Sequence, residues 1–112
     1  MTTREPTAKI DEDCPPDPEL PADALSREIQ IVNERGLHAR AAARLVQTVE
    51  RFDADVTVTR CGETVGGTSI MGILMLAAGP GSSIRISARG PEATAAIEAI
   101  EALIASGFGE ED

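Results

Sequence analysis

Hydrophobic and polar positions alternate at the start of the folded portion: Ile29 and Ile31 alternate with Glu28 and Gln30, the two-residue period of a half-buried strand beginning near Arg27. The period then lengthens. Ala42, Leu45, Val46, Val49 and Phe52 recur at helical spacing and predict an amphipathic helix from about Ala39 to Phe52. Val56 and Val58 return to alternation as a second strand, and Cys61-Gly62 supplies a tight turn. Glu63 to Val65 forms a short third strand before Gly66-Gly67. A short helix over Ile70–Ala77 is expected to stop around Gly79-Pro80-Gly81. Ile84, Ile86 and Ala88 make a fourth strand. Gly90-Pro91-Glu92 then reads as a helix start with proline at the first helical position. Ala93, Ala96, Ile97, Ile100, Leu103 and Ile104 carry that last helix to about Gly107.

The predicted order is β-α-β-β-α-β-α. Each strand has one apolar face, which suits a four-stranded antiparallel sheet with three helices on one side and water on the other, an α+β open-faced β-sandwich.

Composition changes this picture mainly at the ends. Residues 1–26 hold five of the seven prolines and seven acids against two bases, too little apolar surface to offset the entropy of ordering. They are expected to be an acidic, disordered extension, with a folded domain over 27–109 and an acidic tail at 110–112. The formal charge of −9 falls largely on those two ends, leaving the middle near neutral. Within it, Arg35, Arg40, Arg44 and Arg51 gather around the first helix. A local basic patch in an acidic protein suits a phosphate or an acidic protein partner. With Phe52 and Phe108 as the only aromatics, no stacking platform for single strands exists, and nucleic acid is set aside. No apolar run is long enough to span a bilayer and the N-terminus lacks the apolar stretch of a signal peptide, so a cytoplasmic address is expected. The two cysteines, Cys14 and Cys61, share no motif spacing and are expected to be free thiols.

The chemistry concentrates in Gly36-Leu37-His38-Ala39-Arg40, which holds the chain's one histidine where strand gives way to helix. The free N–H groups and dipole of a first helical turn favour an anion, and Arg40 adds a guanidinium beside it. An unprotonated ring nitrogen in that setting would be a nucleophile. On its own such a histidine is more often structural than functional, and its neighbours tip the balance. No carboxylate pair, Walker-type loop or metal cluster accompanies it, so the residues describe a carrier that neither activates ATP or water nor needs a cofactor. A second constellation runs Thr68-Ser69-Ile70-Met71-Gly72-Ile73-Leu74-Met75. Ser69 has the form of an N-cap, and the helix behind it is apolar on nearly every side. Ile70, Met71, Leu74 and Met75 cannot all face the core. An exposed apolar patch of this kind suits protein docking, although an over-apolar core helix explains part of it.

Gly-Leu-His-Ala-Arg after a first strand, with Thr-Ser-Ile-Met-Gly about thirty residues later, resembles HPr, the histidine-containing phosphocarrier family of the bacterial phosphoenolpyruvate-dependent phosphotransferase system. The resemblance spans residue 27 to about 107 and implies an HPr-like fold. It implies that His38 takes a phosphoryl group from enzyme I on Nδ1 and hands it to an EIIA-type protein, with Arg40 steering the phosphate. It places Ser69 where HPr kinase/phosphorylase acts in many members. It puts Ala39, Ala43, Gln47, Ile70, Met71 and Leu74 on the docking surface. Ala41 replaces a common proline, and Gln47 and Glu50 stand where sugar-type members often carry bases, which points toward the nitrogen-related or regulatory branch. There, phosphorylation state would control partner binding without sugar transport. A ferredoxin-like ligand-binding module with an incidental histidine shares the element order and is the reading from a different class.

Overall fold

The computed structural model describes residues 23–109. Strand β1 (Leu25–Gln30) leads through a loop to helix α1 (Ala39–Val49), then to β2 (Asp55–Arg60), β3 (Glu63–Gly66), helix α2 (Ile70–Met75), β4 (Ser83–Arg89) and helix α3 (Ala93–Ala105). The strands form one antiparallel sheet in the order β1-β4-β2-β3. Helices α1 and α3 cover the face bearing Ile29, Val56, Val58, Ile84, Ile86 and Ala88, while α2 packs beside α1 at the β3 edge. The expected open-faced sandwich and element order are those observed. The predicted acidic extension and C-terminal tail lie outside the described residues.

Pairing fixes two ends of the sheet. Gln30 opposes Ser83 and Arg60 opposes Glu63 at one end, and Leu25 opposes Ala88 and Asp55 opposes Arg89 at the other. The β1–α1 loop, the β2–β3 turn and the loop before β4 therefore share the first end.

Several boundaries differ from the sequence expectation for local reasons. Helix α1 ends at Val49 because Arg51 and Phe52 turn back on Thr48 and Val49 in short-range hydrogen bonds, so Phe52 packs on the core from outside the helix. Helix α2 ends at Met75, before the glycines. The Leu76 and Ala77 N–H groups bond back three residues, and Ala77 adopts φ +55°, a conformation alanine seldom takes. Pro91 precedes α3 instead of opening it: Glu92 is the N-cap and gives no side-chain cap to the helix. Its carboxylate accepts from the Asp53 N–H at 2.6 Å, and its own N–H donates to the Asp53 carbonyl, tying the turn after α1 to the start of α3.

The β2–β3 connection is the expected two-residue turn. Cys61 and Gly62 both have positive φ, +53° and +79°, which matches the twist of a tight hairpin. Cys61 corrects the expectation of free thiols: it is disulfide-bonded, and Cys14, the chain's other cysteine, lies outside the described residues. Beyond α3, Phe108 is fully buried with φ +61°, and its carbonyl accepts from the Arg44 guanidinium of α1. The chain thus closes its core with an aromatic ring from a terminal turn.

Candidate functional site

His38 is the N-cap of α1. Its backbone is extended (φ −85°, ψ −175°), its carbonyl accepts from the Ala42 N–H at 2.8 Å, and its Nδ1 accepts from the Arg40 N–H at 3.3 Å. Histidine is an uncommon cap, because Ser, Thr, Asp and Asn fill that role more readily. Here the ring nitrogen does what a cap oxygen does elsewhere. An accepting Nδ1 aims its lone pair at the helix, so the neutral ring carries its proton on Nε2. The residue is half-buried.

The loop that presents it is locked to the loop before β4. Leu37 is buried and its N–H donates to the Ala78 carbonyl at 2.8 Å. Ile31 exchanges backbone bonds with Gly81 and Ser82, each 2.8 Å. Gly36 takes φ +67°, and a Cβ there would stand 2.7 Å from the Ala78 carbonyl oxygen and 2.8 Å from the Gly79 Cα. No other residue type fits. Asn33, buried, donates its side-chain N–H to the Gly36 carbonyl at 2.9 Å and holds the same turn from inside. Sequence reasoning passed over Asn33, although an asparagine three residues before a turn glycine is a recurrent turn signal. It also passed over Arg60, whose guanidinium donates to the Leu76 carbonyl at 3.1 Å and to Ser82 Oγ at 3.5 Å and so braces the loop on which Gly36 rests.

The basic patch separates into distinct parts. Arg44 is engaged with the Phe108 carbonyl, and Arg51 lies 5.4 Å over the Phe52 ring, a cation–π contact. Arg40 is exposed, two residues after the imidazole, and forms no ion pair with any described residue. Ala41, which follows it, is wholly buried and packs α1 against the core.

Ser69 caps α2: its Oγ accepts from the Gly72 N–H at 3.0 Å and its carbonyl from the Ile73 N–H at 2.9 Å. Gly72 is required by packing, since a Cβ there would lie 2.9 Å from both Ser69 Oγ and Val65 Cβ. Behind the cap, Ile70, Met71 and Met75 are 41%, 69% and 75% exposed, whereas Ile73 alone of the helix is fully buried. Leu74 is half-buried and packs on the core, so its share in an outer surface is smaller than its neighbours'. On α1, Ala39 and Gln47 are exposed and Ala43 is half-buried. Among the described residues no group of three or more His, Cys, Asp or Glu side chains could hold a metal ion, and no helix is long and apolar enough to cross a membrane.

A histidine thus stands on a helix N-terminus, with an arginine beside it that forms no ion pair with any described residue. Residues 25–106 match the family model described as the PTS HPr component phosphorylation site. The chain belongs to the HPr family. It is 46% identical over 86 residues to phosphocarrier protein HPr of Cupriavidus necator, an alignment covering 77% of this chain and 97% of that protein. It is also 40% identical over 86 residues to phosphocarrier protein NPr of Shewanella violacea, covering 77% and 94%. An HPr crystal structure from Thermoanaerobacter tengcongensis superposes with a TM-score of 0.75 at 41% identity, covering 79% of this chain and 99% of that one. The protein is therefore an HPr/NPr-type phosphocarrier of the phosphotransferase system, a carrier and not an enzyme, and the names HPr and NPr both occur among its relatives.

Proposed function

We propose that His38 accepts a phosphoryl group from phospho-enzyme I on Nδ1 and passes it to an EIIA-type protein, with Arg40 steering the phosphate. One observation carries this reading: Nδ1 is the ring nitrogen directed at the helix N-terminus, where it accepts from the Arg40 N–H. In the forward step the Nδ1 lone pair attacks phosphorus, the P–Nδ1 bond forms, and the bond from phosphorus to enzyme I breaks. The Arg40 N–H then loses its nitrogen acceptor and is free for a phosphoryl oxygen, alongside the other unpaired donors of the first turn. The helix dipole favours the charge that arrives. Transfer onward is the same step in reverse, so the seat stabilises the phosphoryl group without holding it irreversibly. With phosphoenolpyruvate and enzyme I, an acid-labile, base-stable label on the chain is expected, absent from His38→Ala. No label with enzyme I from either an HPr or an NPr system would remove the proposal.

Arg40→Ala deletes one charge-assisted contact to the phosphoryl group, worth about 1.5–3 kcal/mol, so transfer is expected to slow roughly ten- to hundredfold. Stopped-flow or quench measurements with phospho-enzyme I read this directly. An unchanged rate would take Arg40 out of the site.

Partners meet the carrier, on this reading, over Ala39, Ala43 and Gln47 of α1 and Ile70, Met71 and, in smaller part, Leu74 of α2. Exposed methionine suits a surface that must fit more than one protein. Ser69 is the residue on which HPr kinase/phosphorylase would act. Its phosphate would be tolerated at the α2 N-terminus, yet it would set nearly two negative charges inside an apolar surface that enzyme I must desolvate. Ser69→Asp is expected to slow enzyme I-dependent phosphorylation of His38 by about tenfold or more, given what a desolvated, unpaired charge costs. Equal rates for the variant and the parent would exclude this form of control. Gln47 and Glu50, both exposed and neither basic, favour a nitrogen-type or regulatory set of partners in which phosphorylation state governs binding without sugar transport.

A further inference from the structure

At the sheet end remote from His38 lies a cavity of about 480 Å³, lined among others by Ser87 and Arg89 of β4, Asp55 and Thr57 of β2, and Val49 and Val56. We propose that it binds a free α-amino acid in its zwitterionic form. Ser87 is the first reason. It lies in register between Ser26 of β1 and Thr57 of β2, it is 4% exposed, and its Oγ has no hydrogen-bond partner. A buried hydroxyl without a hydrogen-bond partner is costly and uncommon, and this one belongs to a residue that lines the cavity.

Charge is the second reason, and it selects the ligand. Asp55 and Arg89 are direct cross-strand partners, yet Arg89 pairs with Asp23 at 3.3 Å and Asp55 forms no ion pair with any described residue. The Arg89–Asp23 pair is about half exposed on one side and more on the other, the kind of contact a ligand displaces at small cost. One guanidinium facing two carboxylates disfavours a simple anion. A ligand bringing its own ammonium group matches the set: carboxylate to Arg89 and the Ser87 hydroxyl, ammonium to Asp55. At Gly66 an added Cβ would meet nothing within 4 Å, so that wall is open.

The test is a titration of the ¹⁵N-labelled chain with L-alanine, L-glutamate and L-glutamine, followed by amide shifts. At least one is expected to move Gly66, Gly67 and Ser87 saturably. Acetate, which lacks the ammonium group, and ethylamine, which lacks the carboxylate, should each bind about tenfold more weakly or less, the loss of one charge-assisted contact. Arg89→Gln and Asp55→Asn, with parent-like far-ultraviolet circular dichroism, are expected to weaken binding by a similar factor. His38→Ala should leave it unchanged, which separates this site from the carrier reading. No saturable shift with any of the three amino acids, shifts centred on His38, or binding indifferent to both variants would each overturn the proposal.

Discussion

Gly36→Ala is expected to lower both the stability of the protein and its rate of phosphorylation. The added Cβ must occupy φ +67° at about 1–2 kcal/mol for an L-residue, and it meets backbone atoms of Ala78 and Gly79 below 3.0 Å. Backbone does not swing aside as a side chain does, so overpacking adds about 1–3 kcal/mol. Against a typical folding free energy of about 5–15 kcal/mol, that is a large loss. The effect on transfer is separate from the effect on stability. Leu37 anchors the loop to Ala78, and forcing the two loops apart displaces the His38 ring from the Arg40 N–H. A misplacement of about 1 Å can cost a hundredfold in rate. Thermal melts by circular dichroism, and enzyme I-dependent phosphorylation at a temperature where the variant is folded, check the two parts. Gly79→Ala is the control, since nothing lies within 4 Å of its Cβ position and its φ is not in the left-handed region. Equal behaviour of the two variants would show that the close approach at Gly36 does not hold the loop.

Phe108→Ala is expected to cost about 3–5 kcal/mol, the range for removing a fully enclosed aromatic ring. Phe108 is the largest fully buried side chain among the described residues, and it sits on a turn at φ +61° that its burial sustains. The Arg44 bond uses the backbone carbonyl and does not itself require the ring. Losing the ring nonetheless releases the turn that aims that carbonyl, so α1 loses its tie to the chain end as well. Urea denaturation followed by circular dichroism, the suitable probe in a chain without Trp or Tyr, reads the difference. A change under about 1 kcal/mol would mean that the terminal turn rests on the core without closing it.

The elements were legible because their periods were. Ile84, Ile86 and Ala88 alternate without interruption, and Ala42, Leu45, Val46 and Val49 keep helical spacing, so sheet, first helix and core follow from pattern alone. Helix ends were less legible, since they depend on contacts that pattern does not encode. Ala77 stops α2 in a left-handed conformation that nothing in its residue type announces, and Glu92 is drawn from α3 toward Asp53. At the site, Gly36, His38 and Arg40 stood out through residue type and spacing. The parts that hold them did not. Asn33 and Arg60 act through hydrogen bonds to carbonyls, and Arg60 reaches sixteen residues along the chain to do so. The four arginines near α1 look alike in sequence. Only tertiary structure separates Arg40, which forms no ion pair with any described residue, from Arg44 and Arg51, which serve the fold.

The central claim is that the helix N-terminus makes Nδ1 of His38 the phosphoryl-accepting atom. The direct measurement is the ¹⁵N ring spectrum of the imidazole before and after phosphorylation by phosphoenolpyruvate and enzyme I. The account predicts a phosphorus-coupled Nδ1, an Nε2 that still carries a proton, and an Arg40 amide shifted as it turns from nitrogen to phosphoryl oxygen. Phosphorus coupled to Nε2, or a chain that takes up no phosphoryl group, would contradict it.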